Sequence, residues 1–204
     1  MTSYTVMMFR FAGLVALAFL TVSTPAARSD YLSIKQKFSA IEKQKTKPGE
    51  RIPISSVELN EYVRTELPKV SPQGITEPSV ELLGNNVATG RAKINFLQLQ
   101  YGTEKPNWVL RKLLDGERDV AVRAKVTSAN GEATVHLERV EIAGVPIEGS
   151  ALDFIMRNYV LPKYPDAALD RPFDLRYNME RLEVRPGVAY VVMKRQTTAA
   201  GTLR

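Results

Sequence analysis

Side chains capable of nucleophilic, acid–base or metal chemistry are few in this sequence. Its 204 residues include no cysteine and a single histidine, His136. The missing cysteines exclude disulfides, thiolate metal sites and cysteine nucleophiles. The presence of only one histidine also argues against a histidine-rich zinc site and against a serine–histidine triad. The sequence also contains no glycine-rich phosphate loop and no Gly-x-Ser-x-Gly elbow.

The carboxylates show no pairing suited to general acid–base catalysis. Glu138 and Glu141 share a predicted strand at an odd spacing, which points them to opposite faces, and Glu180 and Glu183 do the same if extended. His136 is in phase with polar neighbours on its strand, which favours an exposed strand residue over a catalytic base. A hydrolase would need carboxylates or an activated serine to converge in three dimensions. The sequence therefore predicts no enzyme, no metal site and no cofactor.

Residues 1–26 have the pattern of a secretory signal. Arg10 precedes twelve uncharged residues at positions 11–22, and small residues follow. This stretch is shorter than the roughly 20 residues that span a bilayer as a helix. We expect a signal peptide, with an uncleaved anchor as the alternative, and a protein exported to the periplasm or cell envelope.

Positive charge is concentrated directly after this segment. Residues 28–51 carry seven basic and three acidic side chains, whereas residues 52–204 carry 20 and 19. Such a charge permits an acidic partner. Nucleic acid is not expected, because the protein is exported and its basic residues lack interleaved aromatic side chains.

Residues 27–50 are predicted to form a basic amphipathic helix and a linker. Apolar residues recur at helical spacing from Tyr31 to Ile41, and Lys47-Pro48-Gly49 ends the helix. A helix of this kind can lie on an anionic membrane surface. Alternatively, the apolar stripe packs on the domain and the lysines are solvated. The candidate membrane-surface residues are Lys35, Lys37, Lys43 and Lys45.

Residues 51–195 are predicted to form one α+β domain, and residues 196–204 a polar tail. Ser55-Ser56-Val57-Glu58 matches a capping box, and the helix that follows ends at Pro68. Asn130-Gly131 lies between alternating apolar runs, which predicts a hairpin because both turn residues need a positive φ. The other predicted elements are strands at 51–54, 79–83, 87–100, 173–177, 182–185 and 188–193, the last of them central, and a helix at 151–160.

This order of elements resembles small bacterial envelope proteins of the tubular lipid-binding type, which include periplasmic phospholipid-binding proteins tied to lipomannan elongation. Glu58-Leu59-Asn60 and Gly144-Val145-Pro146 carry the resemblance, which covers residues 51–194. The chain lacks the acylated cysteine of the lipoprotein relatives, so soluble export and anchoring by the signal helix both stay open. The resemblance implies a strongly curved antiparallel sheet wrapped on one or two amphipathic helices, with an apolar groove between them.

The groove implied by this resemblance would bind a lipid or another long apolar molecule. A buried methylene gains about 0.8 kcal/mol relative to water, so a carrier needs apolar walls and few polar anchors. Alternatively, the same helix faces form a solid core, and the protein is a non-enzymatic envelope scaffold that recognises protein. We expect Trp108 to be buried, with a membrane-interface anchor as the alternative. The candidate lipid-binding residues are Leu59, Tyr62, Val63, Leu152, Ile155, Met156 and Tyr159.

Overall fold

The structure, a computed structural model, describes residues 25–70, 74–99, 104–162 and 169–195. These residues form an α+β fold with antiparallel sheets, which confirms the predicted fold class. The predicted signal segment, apart from its last two residues, and the predicted tail lie outside the described residues. In chain order the elements are α1 (Pro25–Glu42), β1 (Arg51–Ser55), α2 (Ser56–Val70), β2 (Ile75–Gly84), β3 (Val87–Asn95), α3 (Phe96–Leu99), α4 (Trp108–Leu113), β4 (Glu117–Ala129), β5 (Glu132–Ile142), β6 (Val145–Pro146), α5 (Gly149–Ile155), a π turn (Met156–Val160), β7 (Pro172–Asp174), β8 (Met179–Arg185) and β9 (Val188–Met193).

The first and last parts of the chain form a three-stranded unit, consisting of α1, α2 and the sheet β1-β9-β8. Strand β9 is central, as its two apolar faces predicted. The apolar stripe of α1 packs on this sheet, because Ile34 is fully buried and Ile41 nearly so, in a cluster with residues of β1 and β9. That cluster, the second cluster below, contains Ile34, Ile41, Ile52, Ile54, Val191 and Met193.

The middle of the chain forms a six-stranded unit. Its sheet has the order β2-β3-β4-β5-β6, and β7 also pairs with β5. The predicted hairpin between β4 and β5 is confirmed, with φ of 54° at Asn130 and 84° at Gly131. Helices α4 and α5 pack on the sheet through a separate core. That core, the first cluster below, contains Phe96, Leu110, Leu114, Val140, Ile142, Ile147, Phe154 and Ile155.

The two sheets are joined along β8. The Ser128 hydroxyl both accepts from the Leu182 N–H and donates to its carbonyl, each at 2.8 Å. Asn86 binds the backbone of Val184 twice, through its own N–H at 3.0 Å and its side-chain oxygen at 2.8 Å. A turn residue, Asn86, and a residue of β4, Ser128, thus satisfy the edge of β8 that would otherwise be open to pairing with another chain.

Several sequence-based boundaries were wrong, among them the strand predicted over 173–177, which is instead Pro172–Asp174. The strand predicted over 87–100 ends at Asn95, and a helical turn follows, which buries Phe96 and Leu99 together where a strand would separate them. Helix α2 continues through Pro68 to Val70. Proline is tolerated there because the carbonyl that loses its partner belongs to Arg64, an exposed residue in the last turns.

The helix predicted over 151–160 is instead seven residues of α-helix followed by a π turn. Asn158 in this turn is 2% exposed. Its amide donates to the Phe154 carbonyl at 2.9 Å and accepts from the Glu104 N–H at 3.2 Å. A buried polar side chain that satisfies backbone groups in this way can compete with regular helical hydrogen bonding.

Candidate functional site

One face of the six-stranded sheet, called the inner face, is apolar along its central strands. Gly90 pairs with Val122 and Ala92 with Val120, so these four residues share a face. Val120 and Val122 pack against the first cluster, which identifies the face on which the helices lie. The inner strip comprises Ala88, Gly90 and Ala92 of β3 and Val120, Val122 and Val126 of β4.

Helices contact this sheet on both sides of its central strands. On one side, Phe154 of α5 is buried with Val140 and Ile142 of β5. On the other side, the Asn60 side chain of α2 accepts from the Val80 N–H and donates to its carbonyl, each at 2.8 Å. Strands β3 and β4 lie between these two contacts.

The inner strip is incompletely covered. Strand β4 is central in its sheet, yet none of its 13 residues is fully buried, and the inner-face valines are only half-buried. A methyl group placed on Gly90 would meet no heavy atom of the described residues within 4 Å. The small residues of β3 therefore border space that the described protein atoms do not fill.

Residues Leu152, Ile155 and Tyr159 all pack with the first cluster, and Met156 is half-buried at the start of the π turn. The Tyr159 ring stands edge-on to Phe96 with ring centres 5.3 Å apart, and burial raises the pKa of its hydroxyl. These four candidates therefore lie on the α5 side of the inner strip.

The three candidate lipid-binding residues on α2 lie in two different places. Leu59 and Tyr62 pack against the second cluster, where Tyr62 meets Phe38 of α1 at 4.9 Å between ring centres. Val63 is half-buried and follows Asn60 by three residues, which places both on the side of α2 that turns towards β2. The structure thus brings Val63 and the α5 residues to the six-stranded unit, but not Leu59 or Tyr62.

The polar residues of the Glu58-Leu59-Asn60 motif join elements. The predicted capping box is present, with the Glu58 carboxylate accepting from the Ser55 N–H at 2.9 Å. The carboxylate also binds Lys37 and Ser33 of α1, each at 2.6 Å. Burial by itself would raise the pKa of Glu58, but the hydrogen bonds from Lys37, Ser33 and Ser55 outweigh it and lower the pKa to about 2.

The four candidate membrane-surface lysines have different environments. Lys37 is held by Glu58 and by the Pro53 carbonyl at 2.7 Å. Lys35 lies 3.8 Å from Glu66, whereas Lys43 and Lys45 are exposed after the end of the apolar stripe. Of these four lysines, only Lys37 combines a short ion pair with a hydrogen bond to the backbone.

An arginine-rich surface that the sequence did not reveal lies on the outer side of the three-stranded sheet. Glu183 is shared by Arg51, Arg181 and Arg185 at 2.5, 2.9 and 3.9 Å. The Arg51 guanidinium also lies 3.6 Å from the centre of the Tyr190 ring. Burial would raise the pKa of Glu183, but the arginines outweigh it and lower that pKa. A depression of about 490 Å³ beside this surface could accept an anion.

A hydroxyl, an imidazole and a carboxylate also meet on the surface of β4 and β5. The Thr127 hydroxyl is 3.1 Å from His136 Nε2, and His136 Nδ1 is 2.7 Å from the Asp170 carboxylate. Asp170 also donates its N–H to the Val135 carbonyl at 3.0 Å. This arrangement fastens the segment at Asp170 to β5. The sequence predicts His136 as an exposed strand residue but could not pair it with a residue 34 positions away.

In the part of the chain that the structure describes, no three histidine or acidic side chains meet in an arrangement that could hold a metal ion. Likewise, none of the described helices is both long enough and apolar enough to cross a bilayer.

The chain matches no protein-family model, no curated protein and no solved structure. The resemblance carried by residues 58–60 and 144–146 therefore stays a prediction.

Proposed function

We propose that this protein is an exported, non-enzymatic envelope protein that binds a lipid or another long apolar molecule against the inner strip. In this proposal the six-stranded sheet curves around its helices, and the guest lies between α2 and α5. The observation that carries the proposal is the open space over Gly90, on a face whose central strand has no fully buried residue.

The energetics of burial support this proposal. Apolar area removed from water gains about 25 cal/mol per Å², so a valine that is only partly buried on a central strand forgoes part of its possible stabilisation. An acyl chain laid along Val120, Val122 and Val126 would recover that free energy for both the protein and the lipid. The small residues of β3 would leave room for the width of the chain.

Contact with an anionic membrane surface is the second part of the proposal. Lys35, Lys43 and Lys45 remain the candidates on and after α1. Lys37 is assigned a structural role instead, because its ammonium group is bound by Glu58 and by a backbone carbonyl.

Filling the space over Gly90 tests the proposal. In Gly90→Leu the new side chain would occupy the space assigned to the guest, and we expect affinity for a fluorescent fatty acid to fall at least about tenfold. Thermal stability should be unchanged or higher, since Gly90 has no positive φ and leucine is favoured over glycine within a strand. The matched control is Ala121→Leu, on the opposite face of β4, which should bind like the wild type.

Native mass spectrometry of the purified wild-type protein provides an independent measurement. Co-purified lipid is expected on the wild type and on Ala121→Leu, and much less on Gly90→Leu. Repeated absence of bound lipid, together with no transfer of lipid between liposomes, would overturn the proposal and favour a scaffold with a solid core.

A further inference from the structure

We propose that α4 is a membrane-docking edge, in which Trp108 and Val109 enter the interface of an anionic bilayer and Arg111 and Lys112 contact its phosphate groups. This inference rests on the proposed lipid-binding function and specifies where the protein would meet the membrane. It gives Trp108 a role that differs from the buried indole predicted from the sequence.

The large apolar side chains at this edge face solvent. Trp108 is 72% exposed, and Val109, the next residue in the chain, is 51% exposed. Burial of a tryptophan removes more apolar surface from water than burial of almost any other side chain. Exposed apolar groups that lie together mark sites of interaction with a protein or a membrane.

Helix α4 is firmly held in place, so the exposure of Trp108 does not come from a loose segment. Leu110 and Leu114 are buried in the first cluster at 7% and 3% exposure. The Asn107 side chain caps the helix by accepting from the Leu110 N–H at 2.9 Å, and the Arg118 guanidinium donates to the Leu113 carbonyl at 3.0 Å. The fold therefore holds the indole outward on a rigid support.

The charge of α4 favours an anionic lipid surface as the occupant. Its six residues include two exposed cations, Arg111 and Lys112, and no acidic residue. Among the residues that the structure describes, neither cation forms an ion pair within 4.0 Å. Tryptophan beside basic residues is the composition of segments that lie in the membrane interface.

The position of α4 suits the delivery of a lipid. Leu110 and Leu114 share the first cluster with Ile155, and Leu152 and Tyr159 pack against that cluster. Docking through α4 would therefore bring the α5 side of the inner strip close to the bilayer surface.

Because Trp108 is the only tryptophan in the chain, its fluorescence reports this docking directly. We expect vesicles that contain phosphatidylglycerol to shift the emission to the blue, and bromine-labelled acyl chains in the same vesicles to quench it. Vesicles of phosphatidylcholine alone should give a weaker response, and added salt should reduce the response to the anionic vesicles.

A matched pair of variants tests whether vesicle binding depends on α4 or on any exposed apolar side chain. Val109→Ser should weaken vesicle binding about tenfold, whereas Val57→Ser should bind like the wild type, because Val57 is equally exposed, at 57%, but lies on α2. Arg111→Gln combined with Lys112→Gln should remove most of the salt dependence. These substitutions are on the surface, so melting temperatures should stay close to that of the wild type.

Unchanged emission with anionic vesicles would overturn the inference. This is the result expected if α4 docks on a protein instead of a membrane. Equal weakening by Val109→Ser and Val57→Ser would overturn it as well. Failure of this inference is distinguishable from failure of the proposed function. If lipid co-purifies with the protein but vesicles do not affect Trp108 emission, only the docking role of α4 is overturned. If bromine-labelled lipids quench Trp108 but no lipid co-purifies, the binding of lipid at the inner strip is overturned instead.

Discussion

The three-stranded unit and the six-stranded unit differ in how completely they bury their apolar residues. In the three-stranded unit, Ile34 is fully buried between α1 and the sheet. In the six-stranded unit, β4 is a central strand without a fully buried residue, and the space over Gly90 is open. The three-stranded unit, called the closed unit below, is thus packed as a solid core, and the six-stranded unit leaves an apolar face partly uncovered.

The difference shows how one chain can combine stability with an open apolar face. In the closed unit, Glu58 joins α2 to Lys37 and Ser33 of α1. Asn60 then fixes α2 to the edge strand of the other sheet. We infer that the closed unit supplies stability without disulfides, which leaves the inner strip free to serve binding.

Truncating a matched isoleucine in each unit should produce the largest contrast. Ile34→Ala leaves a cavity in a fully packed site and should cost about 4 kcal/mol of unfolding free energy. Ile94→Ala removes the same atoms from a half-buried position on β3 and should cost about 1 kcal/mol. Denaturant titration measures both, and equal losses would contradict the difference in packing.

A substitution at the junction of the two units should have the next largest effect. Gly84 has a φ of +94°, and a side chain there would lie 2.7 Å from the Pro186 ring of the other unit. Gly84→Ala should therefore cost about 3 kcal/mol through combined strain and steric clash.

The control for this effect is Gly144→Ala. Gly144 also has a positive φ, of +76°, but an added methyl group would meet no described atom within 4 Å. Backbone strain alone should cost about 1 kcal/mol there. Equal changes in melting temperature for the two variants would show that the contact with Pro186 does not hold the units together.

Acid should weaken the closed unit through Glu58. Its pKa is lowered from 4.5 to about 2 in the folded protein, so the stability that it contributes is complete above pH 4.5 and is lost as the pH falls towards 2. Glu58→Gln should remove about 2 kcal/mol at pH 7 and make the remaining loss in acid smaller. Thermal unfolding at several pH values measures this, with Glu42→Gln, an exposed position on α1, as the control. An unchanged acid profile in Glu58→Gln would contradict the assignment.

Neutralising the exposed lysines of the closed unit should have the smallest effect. Replacing Lys35, Lys43 and Lys45 by glutamine should weaken sedimentation with anionic vesicles about threefold at low salt, and less at physiological salt. Lys125→Gln, on β4, serves as the charge control. If the triple variant sediments like the wild type, these lysines are simply solvated.

Features set by neighbours in the sequence could be predicted. The hairpin at Asn130-Gly131 and the capping box at Ser55 depend on local φ angles and short hydrogen bonds, and both are present. The apolar stripe of α1 was also evident, because helical spacing is a local property. Whether this stripe packs on the domain or faces a membrane depends on β9, a strand more than a hundred residues away. Val191 of β9 belongs to the same cluster as the residues of the stripe.

Features set by distant contacts could not be predicted in this way. The alternation in β4 identifies an apolar face, but whether a helix covers that face depends on where α2 and α5 lie. The sharing of Glu183 by three arginines arises from strand register, which a single sequence does not reveal. The exposure of Trp108 likewise depends on which side of α4 the first cluster occupies.

Photolabelling with a lipid shows directly whether an acyl chain lies against the inner strip. A phospholipid carrying a diazirine on its acyl chain would be loaded onto the protein and activated, and the labelled peptides would be identified by mass spectrometry. We expect labels on the inner strip, within 88–92 and 120–126, and their loss in Gly90→Leu. Labels confined to the arginine-rich surface or to α1, or no label at all, would contradict it.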